Sequence, residues 1–198
     1  MNLPNRLTIF RLILVPVFVI LMSIDHLGTY IAAYIVFMVA SITDYWDGRI
    51  ARERNLITNF GKLMDPLADK VLMAAAFVML MEVPVLSVPG WTIVAILARE
   101  FLITGARSVV APGGKVIAAN IWGKVKTVMQ MTYIYTFLFF AIVAKLVEYW
   151  ASDYVDVYGD VLGWASLICI IFVSAFTVYT GLRFAQSNWK ALRLGTEI

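Results

Sequence analysis

Cysteine, histidine and charge are all scarce in this chain: 198 residues hold one Cys, one His and only 15% Asp, Glu, Lys and Arg. A single Cys169 excludes an intramolecular disulfide framework, and its place in an apolar run makes it a packing residue. The single His26, in the short polar turn Ser23-Ile24-Asp25-His26, reads as a solvated loop residue. With no His or Cys cluster, zinc and copper sites lack their usual donors. A soluble domain carries about 25% charged residues. The low charge, 62% hydrophobic residues and a mean hydropathy of +0.84 therefore exclude an ordinary soluble domain and make the chain an integral membrane protein. The N-terminus lacks a charged-then-apolar-then-small cleavage pattern, so the apolar stretch from Leu7 is read as a retained helix. A net charge of +3 and a pI near 9.0 do not imply nucleic acid, because the basic residues form no aromatic-interleaved patch. No repeat, low-complexity segment or long linker interrupts the chain, and one membrane domain over 1–198 is expected.

Charge-free runs at 12–24, 27–43, 127–144 and 161–182 approach or reach the roughly 20 apolar residues that a helix needs to cross a bilayer. Two further helices, at about 57–82 and 90–110, carry charge toward one end. The expected fold is all-α, an integral membrane bundle of six transmembrane helices at about 7–24, 28–52, 57–82, 90–110, 122–146 and 159–186. On that layout Arg6, Arg11, Arg49, Arg52, Arg54, Lys62, Lys70, Arg99, Arg107, Lys115, Lys124, Lys126, Arg183, Lys190 and Arg193 share one side, and only Lys145 falls on the other. The positive-inside rule then makes both termini cytoplasmic. The opposite side carries Asp25, Glu82, Glu148, Asp153, Asp156 and Asp160, with Pro84, Pro89 and Gly90 closing one of its loops.

Four carboxylates, Asp44, Asp47, Asp65 and Asp69, lie within the second and third helices near the cationic side. Each would cost roughly 2.5–3.5 kcal/mol at a membrane helix centre, so they must face a polar cavity, a counter-charge or both. Asp44 and Asp47 are three apart and Asp65 and Asp69 four apart, so each pair occupies one helical face. A short turn around Arg54-Asn55-Leu56 would let the two acidic faces meet. Converging carboxylates repel one another unless compensated. An all-oxygen set favours Mg²⁺ or Mn²⁺, and two such ions about 3.5–4 Å apart form a clamp for in-line displacement at phosphorus. Gly48 and Ala51 share the face of Asp44 and Asp47, and Gly61 lies one turn before Asp65. Glycine inside a helix costs about 1 kcal/mol relative to alanine, so either close helix packing or a flat substrate accounts for it. Arg52, one turn beyond Gly48, offers a forked donor suited to phosphate.

The pattern Asp44-x-x-Asp47-Gly48-x-x-Ala51-Arg52, then eight residues, then Gly61-x-x-x-Asp65-x-x-x-Asp69 resembles, at every position, the signature of the CDP-alcohol phosphotransferases. The resemblance implies that Asp44, Asp47 and Asp65 ligate metal, that Asp69 is both ligand and general base, and that Gly48, Ala51, Arg52 and Gly61 shape the site for the CDP-linked lipid. It also implies six transmembrane helices and a homodimer. Leu3-Pro4-Asn5-Arg6-Leu7-Thr8-Ile9-Phe10-Arg11, Arg99-Glu100-Phe101-Leu102-Ile103-Thr104-Gly105-Ala106-Arg107 and Gly123-Lys124-Val125-Lys126-Thr127 are similar to bacterial members of that family whose acceptor is glycerol 3-phosphate. Ala106 departs from the larger aliphatic residue expected there, which touches only local packing.

That resemblance implies phosphatidyl transfer from CDP-diacylglycerol to glycerol 3-phosphate with release of CMP, at a site facing the cytoplasm of a bacterial cytoplasmic membrane. The residues agree: Arg99, Arg107, Lys124 and Lys126 form a cationic set suited to a phosphate dianion, although positive-inside flanking competes for each single cation, and Thr104 joins the acceptor site through the resemblance. Asn5 and Thr8, at the amphipathic start of the first helix, would reach the nucleotide or cap that helix. Residues 131–198 read as generic apolar helix. The signature describes the shared donor and leaves open other acceptors, as in cardiolipin, phosphatidylserine or phosphatidylinositol-phosphate synthases. A cation or proton transporter also buries acids beside small residues, but near the midplane and with cations spread along a path.

Overall fold

A computed structural model describes residues 3–53, 59–110 and 121–188, and every long element in it is α-helical. The helices are α1 (Leu3–Ser23), α2 (Leu27–Glu53), α3 (Asn59–Met81), α4 (Gly90–Val110), α5 (Ile121–Trp150) and α6 (Val155–Ser187), with one 3₁₀ turn at Ser152–Tyr154. Three of them, α1 from Arg6 onward, α5 and α6, are long and apolar enough to cross a membrane, and Leu27–Thr43 is a shorter apolar stretch. The expected break around 147–158 is narrower in the structure. Helix α5 runs on to Trp150, where Lys145 pairs with Glu148 one turn ahead at 2.8 Å, and α6 begins already at Val155 with Asp156 in its first turn.

The chain divides into two compact units, residues 1–86 with 134–163 and residues 87–133 with 164–198, so the division falls within α5 and α6. In the first unit, α1 packs along both α2 and α3. Its inner face is Thr8, Arg11, Val15, Phe18 and Met22, all buried, at alternating three- and four-residue steps. Phe10, Ile13, Val17 and Ile20 on the other side are exposed, as suits a helix whose outer solvent is hydrocarbon. Phe18 and Phe37 lie 5.6 Å apart between ring centroids, and Phe37 meets Tyr135 of α5 edge-on at 5.1 Å. Buried Ala33, Ala40, Ala68, Ala76 and Ala141 let the backbones approach. That matters because in lipid the helices associate through packing and hydrogen bonds and not through a hydrophobic drive. Lys145, expected alone on the acidic side, bridges Asp25 at 2.7 Å as well as Glu148 and is neutralised locally. His26 is exposed, its Nδ1 accepting the Gly28 amide at 3.0 Å, as the loop reading expected.

In the second unit, Thr92 starts α4 with its hydroxyl on the Pro89 carbonyl at 2.6 Å. A buried polar line runs along α6. Ser166 accepts the Ser87 amide at 2.9 Å, Gln130 of α5 donates to Thr177 at 3.2 Å, and Thr180 donates to the Thr177 carbonyl at 2.8 Å. Cys169 corrects its reading as a packing residue: it is exposed on α6 beside Ile168, because the small polar residues take the inner face of this helix.

Candidate active site

In the first unit the site is built on α1 and α3. Asp65 and Asp69 stand one turn apart on α3, both half-buried, and Gly61 one turn earlier is buried. The fully buried Thr8 donates its hydroxyl to Asp65 Oδ1 at 2.5 Å, across 57 residues of sequence. A carboxylate receiving a buried O–H donor is held in one orientation. Pro66 follows Asp65 directly and supplies no amide for the carbonyl four residues earlier. Thr8, expected at the nucleotide or as a cap, thus lies against the acidic face.

Arg11, counted in the sequence only as a topological cation, is fully buried one turn after Thr8 on the same face of α1. Its three-residue spacing from Thr8 was the available signal. Asp44, Asp47, Gly48, Ala51 and Arg52 belong to the helical backbone of α2 and Asn5 to that of α1, while their side chains lie outside the described residues. Among the described residues no group of three or more His, Cys, Asp or Glu gathers. Asp65 and Asp69 supply half of the expected all-oxygen set, and that chemistry fits Mg²⁺ or Mn²⁺.

The cationic residues belong to the second unit. Glu100 Oε1 accepts from Lys126 Nζ at 2.6 Å and from Arg99 Nη1 at 3.2 Å, bringing two of the expected cations together through a carboxylate. Lys126 is almost wholly buried, with 5% of its side chain exposed. Arg99 Nη2 donates to Thr180 of α6 at 3.3 Å. The Arg107 guanidinium lies over the Phe184 ring at 5.1 Å. Thr104 is half-buried on α4, and Lys124 is exposed on α5. The Nε groups of Arg99 and Arg107 are buried without a hydrogen-bond partner among the described residues.

Sequence reading missed Glu100 as a junction and passed over α6, which supplies Thr180 and Phe184 to these arginines. The spacing Ser174, Thr177, Thr180 and Gly181 marks one small, polar face of α6. That was the signal within a segment read as generic.

The family model for CDP-alcohol phosphatidyltransferase matches residues 1–172. The chain is 36% identical over 204 residues to a Bacillus subtilis protein named CDP-diacylglycerol–glycerol-3-phosphate 3-phosphatidyltransferase, covering 97% of each chain. A Rickettsia felis protein of the same name is 35% identical, covering 96% of each. The Escherichia coli K12 protein of that name is 40% identical over 136 residues, which is 66% of this chain and 72% of that one. With α3 carrying the acids of the signature and similarity extending along nearly the whole length, the chain is a member of the CDP-alcohol phosphatidyltransferase family.

Proposed function

We propose that this protein transfers the phosphatidyl group of CDP-diacylglycerol to glycerol 3-phosphate, forming phosphatidylglycerophosphate and releasing CMP. The observation that carries the acceptor is the pairing of Arg99 and Lys126 on the carboxylate of Glu100, with Arg107 further along α4 over the Phe184 ring. Two cations on one carboxylate leave one positive charge in excess and Arg107 adds a second among the described residues, which suits a phosphate dianion. The unpartnered Nε donors add to this, since a buried unsatisfied donor costs about 1–3 kcal/mol, which an oxyanion would relieve. Relatives of the same name over nearly the full length support the same acceptor.

On this reading Asp44, Asp47, Asp65 and Asp69 hold two divalent cations, Mg²⁺ or Mn²⁺. When bound, these neutralise charge developing on the phosphoryl oxygens and the leaving CMP. Thr8 keeps Asp65 oriented. Asp69 takes the proton of the attacking primary hydroxyl of glycerol 3-phosphate. Asn5, Gly48, Ala51, Arg52 and Gly61 receive the CDP end of the donor, whose acyl chains stay in the bilayer. Arg99, Thr104, Arg107, Lys124 and Lys126 hold the acceptor phosphate.

The cation asymmetry supports six spans with both termini and the site on the cytoplasmic side of a bacterial membrane, and the family resemblance supports a homodimer. The test is CMP release by purified protein from labelled CDP-diacylglycerol with a panel of alcohols. Glycerol 3-phosphate is the expected acceptor. Turnover with serine, inositol phosphate or phosphatidylglycerol in its place would reassign the acceptor, and absence of CMP release with all of them would sink the enzyme reading.

A further inference from the structure

Arg99 is held from a direction unrelated to the signature. Its guanidinium reaches Glu100 of its own helix through Nη1 and Thr180 of α6 through Nη2. The Thr180 proton is committed to the Thr177 carbonyl at 2.8 Å, so the hydroxyl turns lone pairs toward the arginine and acts there as an acceptor. Gly181, the next residue, is buried, and Arg99 lies directly against its backbone. A Cβ at position 181 would stand 2.8 Å from Arg99 Cγ, 3.5 Å from Nε and 3.7 Å from Cδ.

Cγ is close to the root of the side chain. It escapes such a contact only by a change of χ1 or a shift of α4 against α6, and either carries the guanidinium off its two partners. By contrast, a Cβ at Gly105 or Gly123 would meet nothing within 4 Å. The absence of a side chain at 181 therefore has a specific occupant.

We propose that Thr180 and Gly181 are positioning residues that seat Arg99, so that its guanidinium, whose Nε has no partner among the described residues, stands where the acceptor phosphate binds. The proposal rests on the acceptor reading above, which concerns α4 and α5, and adds α6 as the element that sets where the charge stands. Planar, forked recognition of a phosphate depends on guanidinium orientation as well as charge, so displacing Arg99 acts on acceptor binding first.

The test measures CMP release from CDP-diacylglycerol in detergent micelles across glycerol 3-phosphate concentrations, on full-length variants whose melting temperatures are recorded alongside. Gly181→Ala is expected to raise the acceptor KM roughly 10-fold or more, the scale of a lost hydrogen bond to a charged group. The KM for CDP-diacylglycerol should stay within about twofold and kcat should fall less than the acceptor term. Thr180→Val, which keeps shape and drops the acceptor, is expected to raise the acceptor KM by roughly 3- to 10-fold, with Thr180→Ser restoring it. This second variant carries the test if Gly181→Ala does not fold.

In an Arg99→Ala background neither change should add more than about twofold, because residues acting through one side chain are not additive. Silent Gly181→Ala and Thr180→Val beside a normal loss in Arg99→Ala would overturn the positioning role alone. Undiminished effects in the Arg99→Ala background would do the same, reducing the pair to helix packing. An Arg99→Ala protein with an unchanged acceptor KM would remove Arg99 from the acceptor site and the proposal with it.

Discussion

Replacing Thr8 by valine isolates the contact that ties α1 to the acidic face. Valine matches threonine in shape, so the buried site is neither emptied nor overfilled, and what disappears is the hydroxyl that donates to Asp65 at 2.5 Å. A hydrogen bond to a charged group contributes about 1.5–3 kcal/mol. At about 1.4 kcal/mol per decade that corresponds to roughly 10- to 150-fold. Loss of a residue that orients a metal ligand typically lowers metal affinity or activity by about 10- to 100-fold. The two scales coincide, and Thr8→Val is expected to raise the Mg²⁺ concentration for half-maximal activity by about 10- to 100-fold. Saturating metal should recover much of the turnover, and Thr8→Ser should stay near wild type. The assay is CMP release against free Mg²⁺ at saturating substrates, with thermal unfolding to confirm an intact helical bundle. An unchanged activation constant in a folded Thr8→Val protein would refute the assignment of Thr8 as the residue that orients Asp65.

Excess chelator should abolish CMP release and added Mg²⁺ or Mn²⁺ restore it; full turnover in chelator would exclude the two-metal reading. Asp69→Asn should lower kcat by about 10² or more, the range for a lost general base, while donor binding persists; near-normal turnover at saturating metal would remove Asp69 from that role. Arg107→Ala is expected to raise the acceptor KM roughly 10- to 150-fold with little change for CDP-diacylglycerol, and equal effects on both constants would return it to a topological cation. Lys126→Ala should also lose about 1.5–3 kcal/mol of stability, because Glu100 gives up a 2.6 Å charged partner while keeping Arg99 at 3.2 Å. Lys145→Ala should cost less than about 1 kcal/mol per pair, since the side chains of Asp25 and Glu148 are 63% and 59% exposed. A drop in melting temperature after Lys145→Ala as large as that after Lys126→Ala would contradict this ordering.

Composition alone determined that this chain lives in a membrane, because scarce charge and long apolar runs leave no other solvent for its helices. Helix existence followed too: a backbone in hydrocarbon must satisfy its own hydrogen bonds, so apolar runs become helices whatever their neighbours. Residues 65 and 69 share a face by helical periodicity, and the full signature placed the chain in its family before any contact was known. Which side of each helix packs was not legible, since lipid-facing and core-facing positions are both apolar and hydropathy does not tell them apart. Ile20 and Phe18 read alike in the sequence, yet one is 61% exposed and the other fully buried.

The burial of Arg11, the outward turn of Cys169 and the junction at Glu100 belong to the same class. So do the pairing of Thr8 with Asp65 and the seat that α6 makes for Arg99. These partners stand 57 and 81 residues apart in the chain, and only helix packing brings them within hydrogen-bond distance.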